Sequence, residues 1–210
     1  EDNNSGILFN DELLQEAPPS GTCLSIGIDC SGFGKDFNCI VVRKGNSIIK
    51  IIRKAIASAK DLFAEVKLII HEYGTSNFSH IAIDQAYGQG IYELLMDSDY
   101  KNLTYLIPFG GSPDDPAYLN KRAEMYVKAK QYISEHGING IDEDMREELK
   151  ATRYELSAHD KVQLIKKDDI RLIIKRSPDS ADAFVLTFAM ADMPRGIISE
   201  RRTRQASFMG

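Results

Sequence analysis

Apolar residues fall in short runs over residues 22–30 and 37–43, both rich in Ile and Val, and these runs predict strands. "KGNS" (44–47) is a turn signal, and "SIIKIIRKA" continues as a third strand. Three strands with short connections predict an antiparallel meander. Residues 58–73 change to helical spacing, with Leu62, Phe63, Val66, Ile69 and Ile70 on one face. Ser58 is placed to cap that helix and Gly74 to end it. "SHIAIDQAYGQG" (79–90) predicts a fourth strand ending at Asp84, followed by a glycine-bearing turn. "IYELLMD" then predicts a short helix and "LTYLIPF" a fifth strand. Strand, helix, strand is a βαβ unit, so this half of the sheet is expected to be parallel.

Beyond the loop "GGSPDDPA" the pattern becomes helical again. "YLNKRAEMYVKAKQYISEHG" predicts a long amphipathic helix ended by Gly137, and "MREELKATRY" a shorter one. "YELSAHDKVQLI" reads as a hairpin or short irregular pair, and "KDDIRLIIK" as a short helix. "SPDSADAFVLTFAMAD" predicts a closing helix with Ser177 as N-cap, Pro178 at its first position and Asp179 in its first turn. The resulting order, three antiparallel strands, helix, strand, helix, strand and then helices, is that of the ribonuclease H-like fold. The fold class predicted is α/β: a mixed five-stranded sheet, antiparallel then parallel, flanked by helices.

The 210 residues suffice for one well-packed domain. The expected organisation is a linker over 1–20, the domain itself over 21–193, and a flexible basic tail over 194–210. The opening "EDNNSGILFNDELLQEAPPS" has no signal-peptide pattern and reads as a fragment start, so the chain is expected to be one domain of a longer protein. No apolar run approaches the ~20 residues of a membrane span. Cys23, Cys30 and Cys39 match no zinc or redox spacing and read as buried free thiols. The net charge of −5 argues mildly against nucleic acid as a partner. Distribution matters more than the sum, however, and basic residues gather in 161–176 and 194–204.

Three acids then change the picture. Asp29 ends strand one, Asp84 ends strand four, and Asp182 lies one turn into the last helix. In the predicted fold strands one and four are neighbours and a late helix packs beside them, so the three acids meet at one sheet edge. Carboxylates so close do not all stay ionised without a cation. Oxygen-only donors select Mg²⁺ or Mn²⁺, and two such ions are the apparatus for in-line displacement at phosphorus. Each acid also has a plain structural explanation. Asp29 and Asp84 are of the type that caps a turn after a strand, and Asp179 suits the helix dipole. Asp182 resists this best, because it interrupts a broad apolar face. Lys161, Lys166, Lys167 and Arg171 are expected to form a basic track beside the acids.

A rival reading uses the same opening, since "GIDCSGFGKD" looks like the first phosphate loop of actin-like ATPases and sugar kinases. Those proteins need a second lobe and a second phosphate loop, and neither is present in this sequence. GxxxxGK[ST] occurs nowhere either.

"GIDCSGFGKDFNCIVV", "AIDQAYGQGIYELL", "PFGGSPDDPAYLNKRAEMYVKAKQYI", "LKATRY" and "KKDDIRLIIKRSPDSADAFVLTFA" together resemble, in order over about 22–192, the C-terminal nuclease domain of tailed-bacteriophage large terminase subunits. The resemblance implies a metal-dependent endonuclease that cuts concatemeric double-stranded viral DNA during genome packaging, in the cytoplasm of the bacterial host. It implies that Asp29, Asp84 and Asp182 hold metal, that Asp36 and Asp179 are further acids near the site, and that Lys167 meets a phosphate. It also implies a packaging ATPase domain in the full-length chain, and portal and small terminase subunit as partners. Cys30, where the family often has Pro or a small residue, is a minor departure. Two alternatives stay open: another ribonuclease H-like nuclease, such as a resolvase or transposase core, and a non-catalytic DNA-binding or portal-docking module.

Overall fold

The structure, a computed structural model, describes residues 6–31 and 37–193. A five-stranded sheet runs through its centre in the order β4-β3-β2-β5-β6, with β2 Leu24–Asp29, β3 Phe37–Lys44, β4 Ser47–Ala55, β5 Phe78–Asp84 and β6 Thr104–Ile107. β2, β3 and β4 are antiparallel neighbours, whereas β5 runs parallel to β2, and β6 to β5. This is the predicted ribonuclease H-like arrangement.

Strand alternation decides what lies on each face. One face is aliphatic: Ile26 and Ile28 of β2, Ile40 and Val42 of β3, and Ile81 and Ile83 of β5. It packs on α1 (Ala59–Tyr73) through Leu62, Val66, Ile69 and Ile70, and on α2 (Gln85–Met96) through Ile91 and Leu95. The other face carries Gly27, Cys39, Val41 and Ala82 under the last helix, α6 (Asp179–Leu186). α3 (Lys121–His136) and α4 (Glu143–Ala151) complete this layer through Met125, Tyr126, Met145 and Leu149. Gly27 is what lets α6 lie so close, because a Cβ there would fall 1.9 Å from the Ala183 carbonyl oxygen.

Several expectations are corrected. "AYGQG" is no turn: α2 begins directly after β5, with Asp84 as its N-cap accepting from the Ala86 amide at 3.4 Å. Gly88 is explained by a helix–strand approach, since a Cβ there would lie 2.4 Å from Ile83 Cγ2. The segment expected as a linker over 1–20 is packed from residue 6 onward. Gly6–Ile7 forms β1, and Leu8, Phe9 and Leu14 are buried in the core beside α3 and α4. β1 joins β7 (Arg153–Leu156) and β8 (Val162–Leu164) in a second, antiparallel sheet. The helix expected over "MREELKATRY" stops at Ala151, where Thr152 turns the chain into β7. The basic tail over 194–210 lies outside the described residues. Among those described, no helix is long and apolar enough to cross a membrane.

Candidate active site

Both central strands end in an acid. The parallel register pairs Ile28 with Ile83, so Asp29 and Asp84 follow side by side at the same end of the sheet. Both are buried, and their positions in the alternation turn them toward the α6 layer. The first turn of α6 brings Asp179 and Asp182 to the same place. α5 (Lys167–Ile174) supplies the cation between them: Lys167 Nζ lies 3.0 Å from Asp182 Oδ2, 3.6 Å from Asp29 Oδ2 and 3.6 Å from Asp179 Oδ1. Acids distant in sequence thus converge on one ammonium, at the floor of an open cleft of about 1090 Å³.

Asp182 is fully buried, and its two oxygens have different surroundings. Oδ1 accepts from Arg122 Nε at 3.0 Å and from the Tyr126 hydroxyl at 2.8 Å. Among the described residues, Oδ2 is met by the Lys167 ammonium in an ion pair and accepts no hydrogen bond. The unexplained acid on an apolar helix face is therefore held by α3 from behind, with one oxygen left toward Lys167. Burial alone would raise its carboxyl, but Arg122 and Lys167 outweigh that and hold it below the ordinary aspartate range. Asp29 goes the other way. Burial pushes its carboxyl well above the ordinary range, and Asp182, Asp179 and Asp84 push it further against the pull of Lys167. Burial also raises Asp84. Lys167 is desolvated, yet the surrounding carboxylates raise its pKa and keep it charged.

The predicted residues thus divide into groups. Asp29, Asp84, Asp179, Asp182 and Lys167 are brought together. Asp36 lies outside the described residues. Arg171 lines the cleft, where it pairs with Asp168 at 2.9 Å, and Lys175 and Arg176 line it too. Lys166 is exposed at the start of α5. Lys161 lies where the turn between β7 and β8 closes, and neither it nor Lys166 is among the described residues lining the cleft. Ser177 does not cap α6: the helix starts at Asp179, preceded by Pro178, without a side-chain cap from its own N-terminus. Arg122, Tyr126 and Glu148 escape a reading of the sequence, because they lie on ordinary amphipathic helices.

Among the described residues, no three acidic, histidine or cysteine side chains stand close enough together to hold a metal ion as they are. The donor chemistry nevertheless fits a hard cation. All candidate donors are carboxylate oxygens, one of them lacks a hydrogen bond, and they already surround a positive charge.

A mixed sheet in this order, flanked by helices on both faces, is the ribonuclease H-like fold. No family model matches the chain, and neither does any curated protein. Among solved structures it is similar to the nuclease domain of the large terminase subunit gp2 of bacterial virus Sf6, at 16% identity and a TM-score of 0.67, over 83% of this chain and 91% of that one. It is also similar to the large terminase nuclease of thermophilic phage G20c with bound magnesium, at 17% identity and a TM-score of 0.58, over 85% and 94%. The large terminase of another thermophilic bacteriophage matches at 12% identity and a TM-score of 0.56, over 90% of this chain and 46% of that one. At these identities the likeness is one of fold.

Proposed function

We propose that this chain is the metal-dependent endonuclease domain of a phage large terminase, cutting concatemeric double-stranded DNA during genome packaging. The observation that carries the reading is the convergence of Asp29, Asp179 and Asp182 on Lys167 Nζ at the sheet end that also carries Asp84. Asp29, Asp84 and Asp182 are the residues to hold Mg²⁺ or Mn²⁺, as two ions, with Asp179 at the rim. A metal bound there supplies Lewis-acid activation of water and of the leaving phosphodiester oxygen.

The chain's own residues set up that chemistry. Arg122 and Tyr126 occupy one oxygen of Asp182 and so leave the other toward Lys167. Lys167 balances the acids while no metal is held, and its ammonium is placed to meet a phosphate oxygen once one is. Arg171, Lys175 and Arg176 offer positive charge along the cleft wall to a DNA backbone. The neighbours solved with magnesium or manganese support a divalent cation. Further partners under this reading are a terminase ATPase domain, the portal and the small terminase subunit, in the host cytoplasm.

Supercoiled plasmid incubated with the protein tests this. Nicked and linear products are expected with millimolar Mn²⁺, fewer with Mg²⁺, and none with chelator. Binding without cutting at any metal concentration would favour the non-catalytic module, and cutting confined to branched DNA would favour a resolvase. Full activity in excess chelator would overturn the mechanism.

A further inference from the structure

We infer that Glu148 of α4 is a positioning residue for the acidic site, holding the first turn of α6 so that Asp179 and Asp182 both reach Lys167. This rests on the function proposed above. The first turn of a helix has backbone amides with no intrahelical partner, usually met by a side chain at the N-cap. α6 has no such cap of its own. Instead Glu148 Oε2 accepts from the Ala181 amide at 2.9 Å. Ala181 stands between the two aspartates, so this bond fixes the piece of backbone that aims them.

The contact is part of a larger brace. The other Glu148 oxygen, Oε1, is met by Arg176 Nε at 3.4 Å. Next to it, Arg53 of β4 donates from Nε to Ser180 Oγ at 2.6 Å and from its other two nitrogens to Asp142 at 2.7 and 2.8 Å. Asp142 is the N-cap of α4, accepting from the Met145 amide at 3.0 Å. α4 is thus tied to the sheet at its start and grips α6 near its end.

A plain packing role does not call for a carboxylate here. Glu148 is 2% exposed, where an apolar side chain would fill the space without a desolvation penalty. Burial raises its carboxyl to about 7 against the pull of the Ala181 amide, Arg176 and Arg53. Partners that orient metal-binding side chains typically change metal affinity about 10–100-fold when removed.

The test compares Glu148→Ala, Glu148→Gln and Ser180→Ala. Glutamine keeps an oxygen that accepts from the Ala181 amide but carries no charge. Calorimetric titration with Mn²⁺ should show affinity about tenfold weaker in Glu148→Ala and close to wild type in Glu148→Gln. Ser180→Ala releases Arg53 without stranding a buried acid, so it covers the case in which Glu148→Ala does not fold, and it should give a smaller loss in the same direction. Equal loss in the Gln and Ala variants would mean that Glu148 holds metal itself, and would overturn the positioning role. So would a lower melting temperature with Mn²⁺ affinity unchanged throughout. Amide hydrogen exchange over residues 179–183 separates this from the fate of the proposed function: a wild type that neither binds Mn²⁺ nor cuts DNA overturns the function, while the brace still predicts faster exchange in Glu148→Ala and not in Glu148→Gln. Unchanged exchange overturns the brace.

Discussion

The two ends of α6 treat buried charge in opposite ways. At its C-terminal end Arg43 of β3 is 1% exposed and fully matched. It donates to Thr187 Oγ1 and the Thr187 carbonyl, each at 2.8 Å, to the Gly45 carbonyl at 2.7 Å, and to both oxygens of Asp192 at 2.8 Å. Its guanidinium also lies 4.2 Å from the Phe188 ring centroid. His80 of β5 completes the node, with Nε2 3.1 Å from the Thr187 carbonyl oxygen. At the N-terminal end Asp29, Asp179 and Asp182 gather around Lys167 with Asp84 at the same sheet end, and Arg122 pairs with Asp182. Both clusters lie on the α6 face of the same sheet and share β5, with β2 contributing to the acidic cluster and β3 to the one around Arg43. A balanced cluster needs nothing from outside. An acidic excess beside a cleft favours cations, and under the function proposed above this contrast separates structural charge from functional charge.

Neutralising one charge in each cluster tests that separation. Asp84→Asn should lower metal-dependent plasmid cleavage on the order of 10³-fold with little change in melting. Wild-type rates in a folded Asp84→Asn protein would remove it from the site. Asp182→Asn is a poorer choice, because it also leaves the buried Arg122 without its carboxylate.

Arg43→Met should reverse the pattern. Removing one partner of a buried, hydrogen-bonded pair commonly costs about 3–5 kcal/mol, to be read by urea unfolding. Cleavage by the remaining folded protein should be unchanged. Loss of cleavage with unaltered unfolding would mean that the far node acts on the site.

His80 gives the next effect. Burial lowers its pKa from 6.5 to about 4. The unfolded chain therefore binds the proton first on acidification, so this contribution is complete above pH 6.5 and is lost as pH falls toward 4. The loss amounts to about 3 kcal/mol at most. Glu148, with its raised pKa, works against it between about 4.5 and 7, where protonation favours the folded state. His80→Gln should therefore make stability less sensitive to acid over that range. An unchanged pH profile in His80→Gln would show that the histidine is not the source.

The smallest effect belongs to the cleft wall. Arg171→Ala with Lys175→Ala should weaken DNA binding and flatten its salt dependence by about one unit of slope for each phosphate no longer neutralised. Lys161→Ala, away from the cleft, should leave the slope alone. An effect of Lys161 equal to that of Arg171 would restore the longer track.

Much of this contrast is legible in the chain. In "SIGID" the isoleucines alternate with Ser25, Gly27 and Asp29, and in "HIAID" with His80, Ala82 and Asp84. That alternation marks one aliphatic face and one face of small and polar residues, and it places both acids at strand ends. Glycines are a poorer guide after β5, because Gly88 and Gly90 sit inside α2 rather than in a turn, the first of them against Ile83. The N-terminal segment is equally deceptive, since "APPS" suggests a linker whereas Leu8, Phe9 and Leu14 are core residues.

By itself, then, the sequence determined the strands of the central sheet, most of the helices, their order and the acids at the strand ends. Backbone geometry imposes periods of 2 and 3.6 on any chain that buries one side, and such periods are written locally. Only the tertiary structure decided which of Lys161, Lys166, Lys167 and Arg171 reaches the aspartates, that Arg122 and Tyr126 hold Asp182, and that Glu148 caps α6 in place of Ser177. Those pairings depend on how helices from distant parts of the chain cross the sheet. A side chain facing a partner 33 residues away, as Glu148 faces Ala181, leaves no periodic trace in its own neighbourhood.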